Sequence, residues 1–279
     1  MRADMNSSRT FRRFPLRRDA FMTLCVGVVG SLIYTALFGP VPPLASPHSA
    51  LAAKEAADPK GAYTVATYRQ SYFQLDDNGG LVEANGLPIR GEKIYKLKRK
   101  IDPATAAIVV MDPWIDMASD HLNEYYGRIL ESHVAPLVSK GLERGHRVIV
   151  LTNDPKVVKY NTKIYPKLAA LVADGKATLL YHQNLDDDQF AEYLHKAGVS
   201  TLIYAGFASN MCVIGRRMGM IPMVQQGFKT YFVPEASAAV ETEGTWESGS
   251  VHRETTKIIS QWIAEIVPYD EYMQAGRAK

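Results

Sequence analysis

The chain has 279 residues, of which 47% are hydrophobic and 22% are charged, and this balance excludes a chain that is disordered throughout. Its formal net charge of +3 comes from the first 53 residues, which hold six arginines and two aspartates. Without them the net charge is −1, so the rest of the chain lacks the basic excess typical of a nucleic-acid-binding protein.

The amino terminus has the layout of an export signal. Its arginines come before any lysine, at Arg2, Arg9, Arg12, Arg13, Arg17 and Arg18. An apolar run follows over residues 21–38, and a Pro- and Ala-rich stretch then ends in Ala50-Leu51-Ala52, where small residues flank a leucine. This order predicts a secretory signal, and the pair Arg17-Arg18 resembles a twin-arginine signal.

An uncleaved membrane anchor is the competing interpretation of residues 21–38, because about 18 apolar residues suffice to span a bilayer. Under the first interpretation the protein is periplasmic or secreted, and under the second it is anchored and faces the periplasm. The membrane would be contacted only through this segment. If the leader is cleaved it takes Cys25 with it, so Cys212 becomes the only cysteine of the mature chain.

We divide the chain into three parts: a signal peptide or anchor (1–53), a linker with an amino-terminal extension (54–101), and the main domain (102–279). The extension alternates loosely over residues 63–100 around the turn sequence Asp76-Asp77-Asn78-Gly79-Gly80, which predicts a hairpin or arm.

The main domain alternates strands and helices. Apolar runs predict strands at residues 106–111, 147–152, 177–181, 201–205 and 228–233. Helical patterns are found at residues 119–143, 157–173, 188–197, 212–226 and 248–267. This order predicts an α/β fold with a three-layer, doubly wound, mostly parallel sheet and helices on both faces. No GxGxxG or GxxxxGK[ST] motif follows the first strand, which removes the main support for a nucleotide site.

Two strand ends carry chemically useful side chains. Asp112 follows the first strand of the main domain, and Cys212 follows the fourth. These strands are neighbours across the switch point of a doubly wound sheet, so the two side chains could meet in one crevice. Cys212 also starts a predicted helix, whose amides would lower the thiol pKa. The alternative is that Cys212 is a small buried hydrophobe.

These features resemble the isochorismatase-like cysteine hydrolases, the family of nicotinamidases and N-carbamoylsarcosine amidases. The resemblance covers residues 106–267 and is most specific around Cys212. It rests on Asp112, on a G-x-A-x-x-x-C-V stretch at residues 206–213, on Gly227-Phe228-Lys229, on Glu235-Ala236-Ser237 and on His252.

The resemblance implies a reaction on a small amide or carbamoyl compound. Cys212 would be the nucleophile and Asp112 the general base and then the general acid. The N–H groups of Ala208 and Cys212 would form the oxyanion hole, and the bond between Phe207 and Ala208 would be cis. No cofactor is implied, and the chain is expected to form a homo-oligomer.

The chain departs from the family in lacking a lysine after the third strand, where residues 180–185 read LYHQNL. His182 is the nearest substitute for that cation, although a purely structural histidine fits equally well. Trp114 and Tyr181 are candidates to line the substrate pocket. No metal is predicted, because Asp154 is followed by Pro155-Lys156 and no HxH or HxxxH spacing occurs.

Two further functions stay open. The missing lysine allows a catalytically impaired relative that acts as a binding or assembly subunit. The same fold also performs isochorismatase-type vinyl ether hydrolysis, which does not need the thiol.

Overall fold

A computed structural model describes residues 61–276, so the predicted signal or anchor, Cys25 and residues 54–60 lie outside the described part. The strands are β1 (Tyr63–Phe73), β2 (Glu83–Ala84), β3 (Leu87–Pro88), β4 (Arg90–Ile101), β5 (Ala106–Met111), β6 (Arg147–Thr152), β7 (Thr178–Tyr181), β8 (Thr201–Phe207), β9 (Lys229–Ala238) and β10 (Glu265–Ile266). Eight of them form one sheet in the order β4-β1-β10-β9-β8-β5-β6-β7.

The sheet is mostly parallel, as predicted. The five pairings that join β7, β6, β5, β8, β9 and β10 are parallel, and only β1 and β4 run antiparallel to their neighbours. All six residues of β5 are buried, which is why its sequence is a continuous apolar run rather than an alternating one.

The helices are α1 (Asp120–Ile129), α2 (Ala135–Arg144), α3 (Pro166–Ala173), α4 (Asp187–Lys196), α5 (Cys212–Gly215), α6 (Met220–Gln225), α7 (Ser250–Ile258) and α8 (Tyr269–Gln274). Single π-helical turns at Leu130–Val134 and Ile259–Ile263 follow α1 and α7. None of the helices in residues 61–276 is long and apolar enough to cross a membrane.

Two hydrophobic cores lie on opposite faces of the sheet. Ile108 and Val110 of β5 pack with the core that includes residues of α1, α2, α3 and α8. Ala107, Val109 and Met111 pack with the core that includes residues of α4, α5, α6 and the second π turn. Since successive strand residues point to opposite faces, these contacts establish the predicted three layers.

Three predicted helices were too long. The helix predicted at 157–173 begins only at Pro166, because proline is accommodated in a first helical turn and not in the interior. The helix predicted at 212–226 is broken between Gly215 and Met220, which places Pro222 in the first turn of α6. The helix predicted at 248–267 ends at Ile263 and is followed by β10.

The amino-terminal hairpin belongs to the edge of the main sheet. β1 pairs with β4 from Tyr63↔Ile101 to Phe73↔Arg90, and with β10 at Tyr68↔Ile266. A buried ion pair holds this edge, with Arg99 Nε 2.8 Å from Glu265 Oε2.

Candidate active site

The carboxyl ends of β5 and β8 place Asp112 and Cys212 side by side. The two strands pair in register up to Met111↔Gly206. At Gly206, which has φ +97°, a Cβ atom would lie 2.1 Å from the Met111 carbonyl oxygen, so only glycine permits this approach. Asp112 itself has φ +46°, a left-handed conformation that aspartate tolerates better than most residues.

The Asp112 carboxylate is fully buried and has a donor at each oxygen. His182 Nε2 lies 2.8 Å from Oδ1, and Arg216 Nη1 donates to Oδ2 over 2.9 Å. Because a carboxylate oxygen accepts, the hydrogen on His182 is on Nε2. Among the residues that the structure describes, His182 Nδ1 is buried and has no hydrogen-bond partner.

Arg216 supplies the cation that the sequence analysis did not find. Its Nη1 atom lies 3.9 Å from Cys212 Sγ and also donates to Asp112 Oδ2. Its Nη2 atom donates to Asn153 Oδ1. The guanidinium carbon is 5.8 Å from the centre of the Trp114 ring. The family pattern places a lysine after the third strand, whereas here the cation follows the nucleophile by four residues, a spacing that would have identified Arg216 in the sequence.

Three other basic residues near this edge of the sheet, His182, Lys159 and Lys156, form no hydrogen bond with the thiol within residues 61–276. His182 Nε2 donates to Asp112 Oδ1, the carboxylate oxygen that Arg216 does not contact. Lys159 Nζ donates to the Pro155 carbonyl over 3.1 Å at the surface. Lys156 uses its backbone N–H to bind Asp154 Oδ1.

The Cys212 thiol is protonated at rest. Burial, followed by the charge and hydrogen bonding of Asp112, raises its pKa to about 12, and Arg216 opposes that rise. The expectation that helix amides lower this pKa is wrong, because α5 has only four residues and gives little dipole to offset burial. The resting nucleophile is therefore the neutral thiol.

Two backbone amides near the sulfur are free to bind an oxyanion. The peptide bond between Phe207 and Ala208 is cis. Within residues 61–276, the N–H groups of Ala208 and Cys212 donate no backbone hydrogen bond. The Ala208 carbonyl accepts from the N–H groups of Met211 and Val213, which fixes the loop between β8 and α5.

A cavity of about 620 Å³ opens over these groups. We call it the active-site cavity. Its wall includes Cys212, Phe207, Ala208, Trp114 and the loop residues 159–161. Trp114 is held there by a 2.8 Å hydrogen bond from its Nε1 to Thr152 Oγ1.

Tyr181 is not in the wall of the active-site cavity. It ends β7, the edge strand of the sheet, which is separated from β5 by β6. Among residues 61–276, no group of three or more His, Cys, Asp or Glu side chains is placed to hold a metal ion.

The chain is similar in fold to solved isochorismatase-like cysteine hydrolases and nicotinamidases. A cysteine hydrolase from Pseudomonas syringae pv. phaseolicola 1448A is 17% identical with a TM-score of 0.49, and the match covers 62% of this chain and 93% of that one. The YcaC gene product of Escherichia coli, an octameric hydrolase of unknown specificity, is 18% identical with a TM-score of 0.45, covering 62% and 79%. Nicotinamidase PncA from Bacillus subtilis is 17% identical with a TM-score of 0.45, covering 58% and 99%. No protein-family model and no curated protein matches the chain.

Proposed function

We propose that the protein is a cysteine hydrolase that cleaves a small amide or carbamoyl C–N bond. The observation that carries the proposal is the Arg216 guanidinium, which contacts both the buried Asp112 carboxylate and the Cys212 sulfur. Cys212 lines the active-site cavity together with Ala208, and the cation contacts both the nucleophile and the base.

The proposed reaction begins with the neutral thiol. Cys212 Sγ attacks the substrate carbonyl carbon while its proton passes to the Asp112 carboxylate. The oxygen of the tetrahedral intermediate accepts hydrogen bonds from the N–H groups of Ala208 and Cys212, and one such donor supplies about 2.7–4 kcal/mol in related chemistry. Asp112 then gives its proton to the leaving nitrogen, which departs and leaves a thioester.

The second half of the reaction restores the site. Asp112 takes a proton from a water molecule, whose oxygen attacks the thioester carbon. The carbon–sulfur bond breaks, the acid product leaves, and the proton on Asp112 returns to Sγ. Arg216 stabilises the negative charge as it moves between Asp112 and Cys212 in each half of the reaction. Whichever of these two groups is ionised therefore has the positive guanidinium beside it.

One observation favours a second candidate, a binding or assembly subunit without catalysis. The thiol pKa of about 12 describes a sulfur that is not a thiolate near neutral pH. In the proposed hydrolase, Cys212 gives its proton to Asp112 during the attack, so a thiolate at rest is not needed. In a non-catalytic subunit this proton transfer does not occur.

The decisive experiment tests a panel of small amides, carbamoyl compounds and a vinyl ether with the wild-type chain, Cys212→Ala and Asp112→Asn. Amide hydrolysis by the wild type that is lost in both variants supports the proposal. Turnover of the vinyl ether that survives Cys212→Ala supports isochorismatase-type chemistry. A trapped acyl adduct at Cys212, detected by mass spectrometry, contradicts the non-catalytic subunit.

We further propose that the enzyme is exported and self-associates. Export rests on the arginine-rich leader with its apolar run at residues 21–38. Fractionation of cells followed by amino-terminal sequencing tests it, since cleavage near residue 53 removes the leader and an intact Met1 in the membrane fraction identifies an anchor. Light scattering of the purified protein tests self-association.

A further inference from the structure

We infer that Asn153 is a positioning residue that holds the Arg216 guanidinium against Asp112 and Cys212. Asn153 follows the last residue of β6, and it is 3% exposed. Its Oδ1 atom accepts from Arg216 Nη2, while Arg216 Nη1 faces the carboxylate and the sulfur. The two ends of the guanidinium are therefore fixed by different acceptors.

The orientation of the Asn153 amide is determined by its neighbours. The backbone N–H of Asp154 donates to Gln183 Oε1 over 2.8 Å, so the Gln183 amide nitrogen faces the other way. That nitrogen donates to Asn153 Oδ1 over 3.0 Å, and Asn153 Nδ2 donates to the Asn161 carbonyl over 3.1 Å. Reversing the Asn153 amide would set donor against donor and acceptor against acceptor. The oxygen must face Arg216.

Arg216 needs this support because its own backbone does not confine it. It lies just beyond α5 in an extended conformation, and its side chain is 25% exposed. An arginine in that position can exchange its contacts for water. A neutral acceptor at Nη2 limits this exchange without cancelling the positive charge, whereas a carboxylate at the same place would neutralise it.

Asn153 also connects the cation to the active-site cavity. Its Nδ2 atom binds the carbonyl of Asn161, which lies in the cavity wall and has a left-handed φ of +52°. One side chain thus sets the position of the guanidinium relative to the loop that lines the active-site cavity.

The inference rests on the proposed role of Cys212, but its test needs no substrate. Alkylation by iodoacetamide reports the thiolate fraction of Cys212 directly. The full chain is used, and the peptide that contains Cys212 is quantified by mass spectrometry so that Cys25 does not interfere. Failure of every amide in the panel would refute the proposed function and leave the alkylation result unaffected.

Two variants of Asn153 are compared over pH 7–9. Asn153→Leu removes the acceptor, and we expect alkylation to slow about fivefold to tenfold, since a tenfold change corresponds to one pKa unit. Asn153→Asp keeps an acceptor of the same shape but adds a negative charge, so we expect a loss of about tenfold or more. Circular dichroism verifies folding, and Asn153→Asp alone decides the matter if Asn153→Leu does not fold.

Two controls separate positioning from general support of the fold. Asn184 belongs to the same polar cluster and binds Asp154 Oδ2 over 3.2 Å without contacting Arg216, so Asn184→Ala should alkylate at the wild-type rate. In an Arg216→Met background, Asn153→Leu should have no further effect, whereas the charge added by Asn153→Asp would act on the thiol directly and is not used there. Equal losses in both backgrounds, or wild-type rates in both Asn153 variants, would overturn the inference.

Discussion

Arg216 lies four residues after Cys212, and its Nη1 atom is 3.9 Å from the sulfur while it donates to Asp112 Oδ2 over 2.9 Å. One guanidinium therefore serves the nucleophile and its base together. A lysine ammonium is a compact point charge, whereas the planar guanidinium also uses Nη2 to bind Asn153. The chain thus meets the need for a cation with the residue that directly follows the helix of the nucleophile.

The first prediction concerns the charge of Arg216. Arg216→Met keeps much of the side-chain volume and removes the charge, so we expect the rate of Cys212 alkylation at pH 8 to fall about tenfold, because the thiol loses the one group that lowers its pKa. The alkylation rate of Arg216→Lys should lie between the rates of the wild type and Arg216→Met, because lysine keeps the charge but cannot span both Asp112 and Asn153.

Arg217→Met is the matched control for this prediction. Arg217 is the adjacent residue, it is exposed, and it carries the same charge. A wild-type alkylation rate is expected there. If Arg217→Met slows the reaction as much as Arg216→Met, the effect is one of net charge and the specific role of Arg216 is refuted.

The second prediction concerns the close approach of β5 and β8. In Gly206→Ala the new methyl group would meet the backbone of Met111 at 2.1 Å, and the residue would keep its positive φ. Backbone atoms cannot move aside as a flexible side chain can, so we expect a loss of about 2–5 kcal/mol in the free energy of unfolding. Urea denaturation measures this loss.

Gly215→Ala provides the comparison. Gly215 ends α5, and no atom lies within 4 Å of the Cβ that alanine would add. Because alanine is the better helix former, this variant should be as stable as the wild type or slightly more stable. A similar loss in both variants would show that close packing at Gly206 is not the cause.

The sheet could be predicted from the sequence because its strands have a strong signal. The run at residues 106–111 is buried on both faces, and only a parallel strand between two layers of helices explains it. The placement of Asp112 and Cys212 at neighbouring strand ends follows from that order. Helix ends were less predictable, since Pro166 and Pro222 each allow a helix to begin near them or to end before them.

The rest of the site depends on contacts between distant residues. Arg216 and Asn153 are separated by 63 residues and meet only through folding of the loops after β6 and β8. The thiol pKa depends on burial and on the balance between Asp112 and Arg216, which no local pattern reports. Tyr181 was assigned to the pocket from its strand end, but its strand lies at the edge of the sheet.

The third prediction concerns the buried ion pair of the amino-terminal edge. Arg99 and Glu265 side chains are 9% and 11% exposed and bind through two guanidinium nitrogens. Arg99→Met leaves the Glu265 carboxylate buried without its main partner, so we expect a loss of about 3–5 kcal/mol in urea denaturation. Lys196→Met breaks an exposed pair with Glu192 and should leave stability unchanged within error. Equal stability of both variants would contradict the structural role of the buried pair.

The last prediction concerns the pH dependence of stability at His146. Its Nδ1 atom lies 3.1 Å from the Ala106 carbonyl oxygen, so Nδ1 carries the hydrogen and Nε2 accepts from the Tyr63 hydroxyl over 2.9 Å. Burial lowers the His146 pKa from 6.5 to about 4, and the positive charge of Arg144 acts in the same direction. The neutral ring is therefore the form that the folded chain retains.

The unfolded chain takes up this proton first as the pH falls, because its pKa is the higher of the two. The contribution of His146 is thus fully present above pH 6.5 and is lost as the pH falls through about 4, for a total of about 3 kcal/mol.

His146→Gln can still donate to Ala106 and accept from Tyr63 but does not titrate. Urea denaturation at pH 7 and pH 4.5 should show a drop in wild-type stability that exceeds the drop in His146→Gln by about 2–3 kcal/mol. His121→Gln, which changes an exposed histidine, should keep the full wild-type drop, and a drop in His146→Gln equal to that of the wild type would assign the acid sensitivity to other groups.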